Sequence, residues 1–380
     1  MGAVCAAGRN LPDILRSFAA GERHCHAPTR IQSPAMGPVF EVDQDFPPGS
    51  DRTQELARLA LQEALAKARW AGLPAGCRVG VCMGTTVACQ LNDFDFYTTY
   101  RDSKQAPLEP AERYLKHSLA DVVGRWIGRP GPRLTLTNAC SSSADAIGVA
   151  REWIRSGICD VALAGGSDEL NRVPYCGFQA LGVMSAAAVI PFDRDRSGLN
   201  LGEGAAIVVL ESEDHARQRG LLPGLYVRGY GAACDAHHIT APHPEGRGLE
   251  RAIGTALAEA GVAASDIDFV NAHGTGTREN DRIEGRLLTR LFGPGVRFLS
   301  TKGFTGHTLG AAGALEAVFT AAALREGWLP GSAGFSQPDP EIGVSPIIAR
   351  TAVQAASALS TSLAFGGMNA ALVITRTLIA

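Results

Sequence analysis

The chain has 380 residues, enough for two ordinary domains or one large duplicated unit with a substantial core. Hydrophobic residues make up 46% and charged residues 19%, which excludes a disordered chain, and no apolar run reaches membrane-spanning length. A formal net charge of −3 argues against general nucleic-acid binding, and the N-terminus lacks the basic start and apolar core of a secretory signal. Periodicity and capping residues then predict helices over 11–20, 52–70, 111–127, 141–156, 249–261, 280–292 and 311–326. Strands are predicted over 78–83, 133–137, 161–164, 205–210, 225–232, 269–272, 297–300, 358–363 and 370–375. Proline-rich stretches at 27–48 and 329–346 read as loops. The region 85–132 is too long for a simple connection and is expected to form a cap or a subunit contact.

Alternation of strand and helix signals argues for a layered α/β fold. The two halves echo each other. Leu134-Thr-Leu-Thr-Asn-Ala-Cys140 precedes a helix, and Asp268-Phe-Val-Asn-Ala-His273 precedes Gly-Thr-Gly-Thr and a helix. Each half closes with a strand pair, 161–164 with 205–210 and 358–363 with 370–375. The expected organisation is therefore two halves, 1–222 and 223–380, with function gathered at the carboxyl ends of strands. One asymmetry stands out. The second half opens with a strand at 225–232, whereas the first opens directly at Met1-Gly-Ala-Val-Cys-Ala-Ala-Gly8, so its opening strand is expected to be truncated.

Nine cysteines (5, 25, 77, 82, 89, 140, 159, 176, 234) show no Cys-x-x-Cys pair and no zinc spacing, so they read as reduced thiols of a cytoplasmic protein with no metal site. Most free cysteines are inert core residues. Cys140 differs in context, because a β-prone run meets a run of small helix-prone residues there. A thiol at a helix's positive end is biased toward thiolate. Such a thiolate accepts an acyl group as a thioester. His273 precedes the Gly-rich loop, and His307 lies in Phe304-Thr-Gly-His-Thr-Leu-Gly-Ala-Ala-Gly-Ala-Leu-Glu316. Two imidazoles at such junctions suit hydrogen-bond donation to a developing oxyanion, the enolate left when a malonyl thioester loses carbon dioxide.

Only four of the 35 Lys and Arg residues are lysines, and Lys302 sits in a small and apolar stretch where a compact ammonium suits better than a guanidinium. Lys302 and Glu316 are expected to hold His307 and fix the local charge. Thr275 and Thr277 offer hydroxyls that either bind amides of a carrier arm or cap the next helix. Ser360-Thr-Ser-Leu-Ala-Phe-Gly-Gly-Met-Asn369 reads as a tight turn between strands. In a functional reading its Phe365 N–H joins that of Cys140 as an oxyanion hole for the acyl carbonyl. In the charge-dense loop after Pro191, Asp193 and Arg194 are expected to be ion-paired scaffolding.

Several of these motifs together resemble one family, the β-ketoacyl-[acyl-carrier-protein] synthases of the elongating I/II type within the thiolase superfamily. They are Asn138-Ala-Cys-Ser-Ser-Ser, Val270-Asn-Ala-His-Gly-Thr-Gly-Thr, Ser300-Thr-Lys-Gly-Phe-Thr-Gly-His-Thr-Leu-Gly-Ala-Ala-Gly, Pro191-Phe-Asp-Arg-Asp-Arg and Phe365-Gly-Gly-Met-Asn. The resemblance runs from about Gly8 to Arg376. It implies a thiolase-like duplicated αβαβα fold with two mixed five-stranded sheets. It implies decarboxylative Claisen condensation with malonyl-acyl carrier protein, with Cys140 acylated and His273 and His307 driving decarboxylation and condensation. Lys302 and Glu316 would support them, and Phe365 would gate the acyl pocket. No metal or organic cofactor is implied, since the phosphopantetheine arm arrives on the carrier. The implied assembly is a homodimer, with a heterodimer of related subunits as the alternative.

The chain departs from the family pattern at Arg278, where proline is usual after the second loop threonine. It departs again at Ala364, where glycine is usual before the gate phenylalanine. Ser-Ser-Ser after Cys140 is more typical of polyketide-type members. No cysteine follows Cys234, which disfavours a degradative thiolase, and His307 disfavours the Cys-His-Asn synthases. A non-catalytic chain-length-factor-type partner is the alternative function, although such partners usually lack the cysteine.

Overall fold

The computed structural model describes residues 1–31, 37–47, 49–86, 94–116, 118–221 and 224–376. The first half runs β1 (Gly2–Cys5), α1 (Leu11–Ala20), α2 (Arg52–Lys67), β2 (Val79–Gly84), α3 (Phe94–Ser103), α4 (Glu109–Lys116) and α5 (Leu119–Ile127). It continues with β3 (Arg133–Leu136), α6 (Ser142–Arg155), β4 (Val161–Asp168), α7 (Arg172–Ala180), β5 (Gly204–Glu211) and α8 (Glu213–Gln218). The second half runs β6 (Tyr226–Cys234), α9 (Arg247–Ala260), β7 (Phe269–Asn271), α10 (Arg278–Phe292), β8 (Phe298–Leu299), α11 (Lys302–Thr305) and α12 (Ala312–Glu326). It ends with β9 (Trp328–Leu329), β10 (Thr351–Ala352), β11 (Ser357–Ala364) and β12 (Met368–Thr375). The boundary expected at 222/223 falls outside the described residues.

Two five-stranded mixed sheets form, ordered β1-β5-β4-β2-β3 and β6-β12-β11-β7-β8. Counted within each half the order is the same, and so are the directions: the outer two pairings on one side are antiparallel and the two on the other side are parallel. α6 and α12 fill the layer between the sheets, as their shared core with residues of both sheets shows. α2 and α5 cover the outer face of the first sheet, and α9 and α10 that of the second. The result is the thiolase-like αβαβα stack.

The central layer explains one sequence pattern. Every residue of α12 from Ala312 to Leu324 is buried, and its apolar residues run all round the helix. Its approach to α6 is so close that a Cβ on Gly313 would stand 2.7 Å from the Ala144 Cβ. Helix ends follow local chemistry. Asn10 accepts the Asp13 N–H at 3.0 Å to start α1, and Gly21 closes it at φ 70.

The opening strand is short, as expected: Gly2 to Cys5 pair with Ile207 to Gly204, four residues where β6 has nine. Room suffices because the chain folds back at once through paired Cys5 and Gly8 backbone bonds of 3.0 Å. Two expectations are corrected. The helix expected over 111–127 is two helices, because Ser118 caps α5 through the Asp121 N–H. The Asn-Ala echo joins strands that are not equivalent. Cys140 follows β3, third of its half, whereas His273 follows β7, second of its half. The true counterpart of β3 and α6 is β8 and α12, which carries His307 at its approach.

Candidate active site

Cys140 sits on the turn between β3 and α6. Ala139 takes φ 49, a left-handed backbone unusual for a residue with a side chain, so the turn is strained. Three serines hold it. Ser142 Oγ accepts the Asn138 N–H at 2.7 Å and donates to the Ala139 carbonyl at 2.6 Å. Ser141 Oγ donates to the buried Asp145 carboxyl at 2.8 Å, which also takes the Asn138 side-chain amide at 2.7 Å and the Tyr230 hydroxyl at 2.9 Å. Ser143 Oγ accepts the Ala314 N–H at 2.8 Å, tying the start of α6 to the start of α12. Internal symmetry therefore brings the N-terminal ends of the two central helices together. That puts Cys140 and His307, from opposite halves, on one cavity wall.

The imidazoles of His273 and His307 lie 5.2 Å apart, nearly perpendicular at 85°. Lys302 is fully buried and places its three N–H donors on His273 Nδ1 at 3.1 Å, the His273 carbonyl at 2.6 Å, and Glu316 Oε1. This corrects the expectation that Lys302 and Glu316 hold His307. His307 Nδ1 instead accepts the Leu309 N–H at 3.2 Å. Each Nδ1 thus accepts a hydrogen bond, which assigns the proton of each neutral ring to Nε2. Burial lowers both pKa values well below the usual 6.5, and the Lys302 charge lowers them further. Both rings are therefore neutral Nε2–H donors at physiological pH.

Burial also governs the thiol. The helix end biases Cys140 toward thiolate, yet its pKa is pushed up to about 11 by burial, against the Lys302 charge and the Phe365 backbone N–H that lower it. The resting group is a thiol. Glu316 is pushed up to about 7 by burial, with Lys302 opposing. Its Oε2 is buried without a hydrogen-bond partner among the described residues, so the charged form is only half-compensated.

The cavity has a volume of about 370 Å³ and is lined by Cys140, His273, His307, Thr275, Thr277 and Phe365, among others. Thr277 stands at the start of α10 but does not cap it, and its hydroxyl pairs with that of Thr275 at 2.9 Å. Ala364 is comfortable in extended backbone (φ −127, ψ 153), while Gly366 and Gly367 take the left-handed positions of the turn. Asp193 has no ion pair among the described residues, contrary to expectation. It accepts backbone N–H groups of Asp195, Ser336 and Gln337 within 2.8 Å, and the exposed Arg194 pairs with Asp195. The buried cation of that loop is Arg196, bonded to Asp339.

Two contributors escaped the sequence reading. Phe178 of α7 stacks on Phe365 at 5.2 Å and approaches His307 at 6.5 Å, and no local pattern announces it. Glu284 of α10 accepts the N–H groups of His273 and Gly274, each at 2.8 Å, and so clamps the histidine loop. Its signal was the Asp281/Glu284 spacing, which places two acids on one helix face directly after that loop.

The duplicated stack, with a thiol and two neutral imidazoles in one cavity, defines an α/β enzyme of the thiolase-like class. Residues 25–216 match the family model for the beta-ketoacyl synthase N-terminal domain, and residues 225–336 that for its C-terminal domain. The chain is 43% identical over 360 residues to 3-oxoacyl-[acyl-carrier-protein] synthase 2 of Rhizobium meliloti (strain 1021), covering 89% of this chain and 85% of that one. It is 34% identical over 396 residues to nodulation protein E of Rhizobium sp. (strain N33), covering 98% and 96%. The solved ishigamide ketosynthase/chain length factor matches with a TM-score of 0.91 at 30% identity, covering 99% of this chain and 97% of that one. The chain belongs to the beta-ketoacyl synthase family, and it is an enzyme of Claisen condensation in fatty-acid or polyketide biosynthesis. No described helix is long and apolar enough to cross a membrane.

Proposed function

We propose that the enzyme moves an acyl group from an acyl carrier protein onto Cys140 and joins it to malonyl-carrier protein. The Cys140 sulfur attacks the thioester carbonyl. The oxyanion rests on the N–H groups of Cys140 and Phe365, and the carrier thiol leaves with the proton that Cys140 gives up. The malonyl carboxylate then leaves as carbon dioxide. The enolate oxygen takes hydrogen bonds from Nε2–H of His273 and His307, and the enolate carbon attacks the acyl carbonyl. A 3-oxoacyl chain leaves on the carrier, and Cys140 recovers a proton from water. Lys302 and Glu316 hold His273 in the donor tautomer. Thr275 and Thr277 face the pantetheine arm, which belongs to the substrate, so no further cofactor is needed. Phe365, stacked on Phe178, gates the acyl pocket.

The observation that carries this reading is the pair of Nδ1 atoms that each accept an N–H hydrogen bond beside the thiol cavity. Intact-mass analysis against a panel of acyl-carriers tests it. Wild type gains one acyl mass and Cys140→Ala gains none, whereas uptake by the alanine variant would remove Cys140 from its role. His307→Ala is expected to acylate yet elongate poorly.

The division at 222/223 is supported by the two sheets, each built within one half. The assembly is taken as a homodimer. β3 is an edge strand with Leu134 exposed, Trp126, Tyr97 and Tyr100 of the 85–132 insertion are exposed as well, and a second copy would cover the open strand edge. The eight described cysteines are free, which fits a cytoplasmic location.

A further inference from the structure

The wall of the cavity follows the chain upward from the chemistry. His273 is buried, Thr275 is buried, Thr277 is half-buried and Arg278 is exposed, all four on the same cavity. Six consecutive residues therefore run from the imidazole at the base to a guanidinium at the mouth. Arg278 is the one arginine or lysine among the described lining residues. It carries no ion pair to any described residue.

The neighbouring acids are otherwise engaged. Glu279 pairs with Arg282, one turn along α10. Asp339 is bonded to Arg196, although the Arg278 charge also lowers its pKa. Asp235, also on the wall, accepts the His243 and Gly248 N–H groups and the Asn369 amide. The Arg278 backbone is itself fixed, because Arg196 Nη2 donates to its carbonyl at 2.9 Å. A guanidinium carried on a fixed backbone, with no ion pair to a described residue, matches the chemistry of a phosphate monoester or diester, which accepts two parallel N–H bonds.

Resting on the proposed carrier-dependent function, we infer that Arg278 binds the phosphate of the phosphopantetheine arm and so sets the depth to which the thioester reaches. A pantetheine arm carries its thiol at one end and its phosphate at the other. The cavity offers the thiol chemistry at its base and its permanent cation at its rim.

The test compares malonyl-phosphopantetheine with malonyl-pantetheine thioesters in condensation with the acylated enzyme, for wild type, Arg278→Gln and Arg278→Lys. A charge-assisted bond of this kind is worth roughly tenfold in affinity, so wild type should prefer the phosphorylated arm by about tenfold, mainly in KM. The preference should shrink as salt rises, since the site is exposed. Arg278→Gln should bring the ratio of the two arms near one, and Arg278→Lys should keep part of it. An unchanged ratio in Arg278→Gln, or no preference in wild type, overturns the inference while turnover through Cys140 leaves the function standing. If Cys140 takes up no acyl group from an acyl-carrier, the proposed function falls and this inference falls with it. A ratio within each protein is unaffected by partial loss of folded enzyme.

Discussion

At the scale of single residues, burial outweighs every other influence on the reactive groups. Cys140 sits at a helix's positive end and near a lysine, and its pKa is still pushed up to about 11. Alkylation of the free enzyme by iodoacetamide should therefore be slow at pH 7 and rise steeply toward pH 11. A plateau reached near pH 8 would contradict the buried thiol. Glu316 gives a second handle. Its ordinary value is 4.5 and its folded value about 7, so between these the native protein holds a proton that the unfolded chain has lost. Its contribution to stability therefore falls as pH rises from 4.5 to 7. Relative to Glu316→Gln, the wild-type melting temperature should drop between pH 5 and pH 8. Condensation should follow the opposite course. Below pH 7 protonated Glu316 leaves Lys302 without its counter-charge, so kcat should fall on the acid side with an apparent pKa near 7, and Glu316→Gln should lack that limb. Lys302 itself was legible from sequence as a compact cation in an apolar stretch. Which histidine it holds was not, because that depends on how β7 and α11 meet in space.

At the scale of elements, the central helices carry the geometry. Gly148 of α6 lies under the Tyr230 ring of β6, where an added Cβ would stand 2.4 Å from ring carbon. Gly148→Ala should cost about 1–3 kcal/mol by overpacking. Tyr230→Phe removes the 2.9 Å bond to Asp145 and should cost roughly 1–3 kcal/mol while loosening the Cys140 turn. Thermal melts measure the first effect. Acylation rate at Cys140 measures the second, and a Tyr230→Phe enzyme that melts and acylates like wild type would show the network idle. Strand alternation and helix caps made most elements readable, including both helices of the central layer. Four helices were missed: α3, α7, α8 and α11. α11, α8 and α7 are short, at four, six and nine residues, so tertiary packing decides them.

At the scale of the whole molecule, the exposed β3 edge is the surface assigned to a second copy. Leu134→Arg should shift the protein in sedimentation from a dimer toward the 39.8 kDa chain, and a dimer that persists would move the interface elsewhere. The amino-acid sequence by itself determined the α/β class, the duplicated halves, the thiol at a strand-to-helix turn and the two histidine motifs. All of these are local patterns of periodicity and small residues. Only the tertiary structure decided that four residues suffice for the opening strand, that α6 and α12 are the true counterparts, and that Lys302 serves His273. It also decided that burial keeps the thiol protonated and both imidazoles neutral. These outcomes depend on solvent exclusion and on contacts between residues far apart in the chain, quantities that no local run of residues contains.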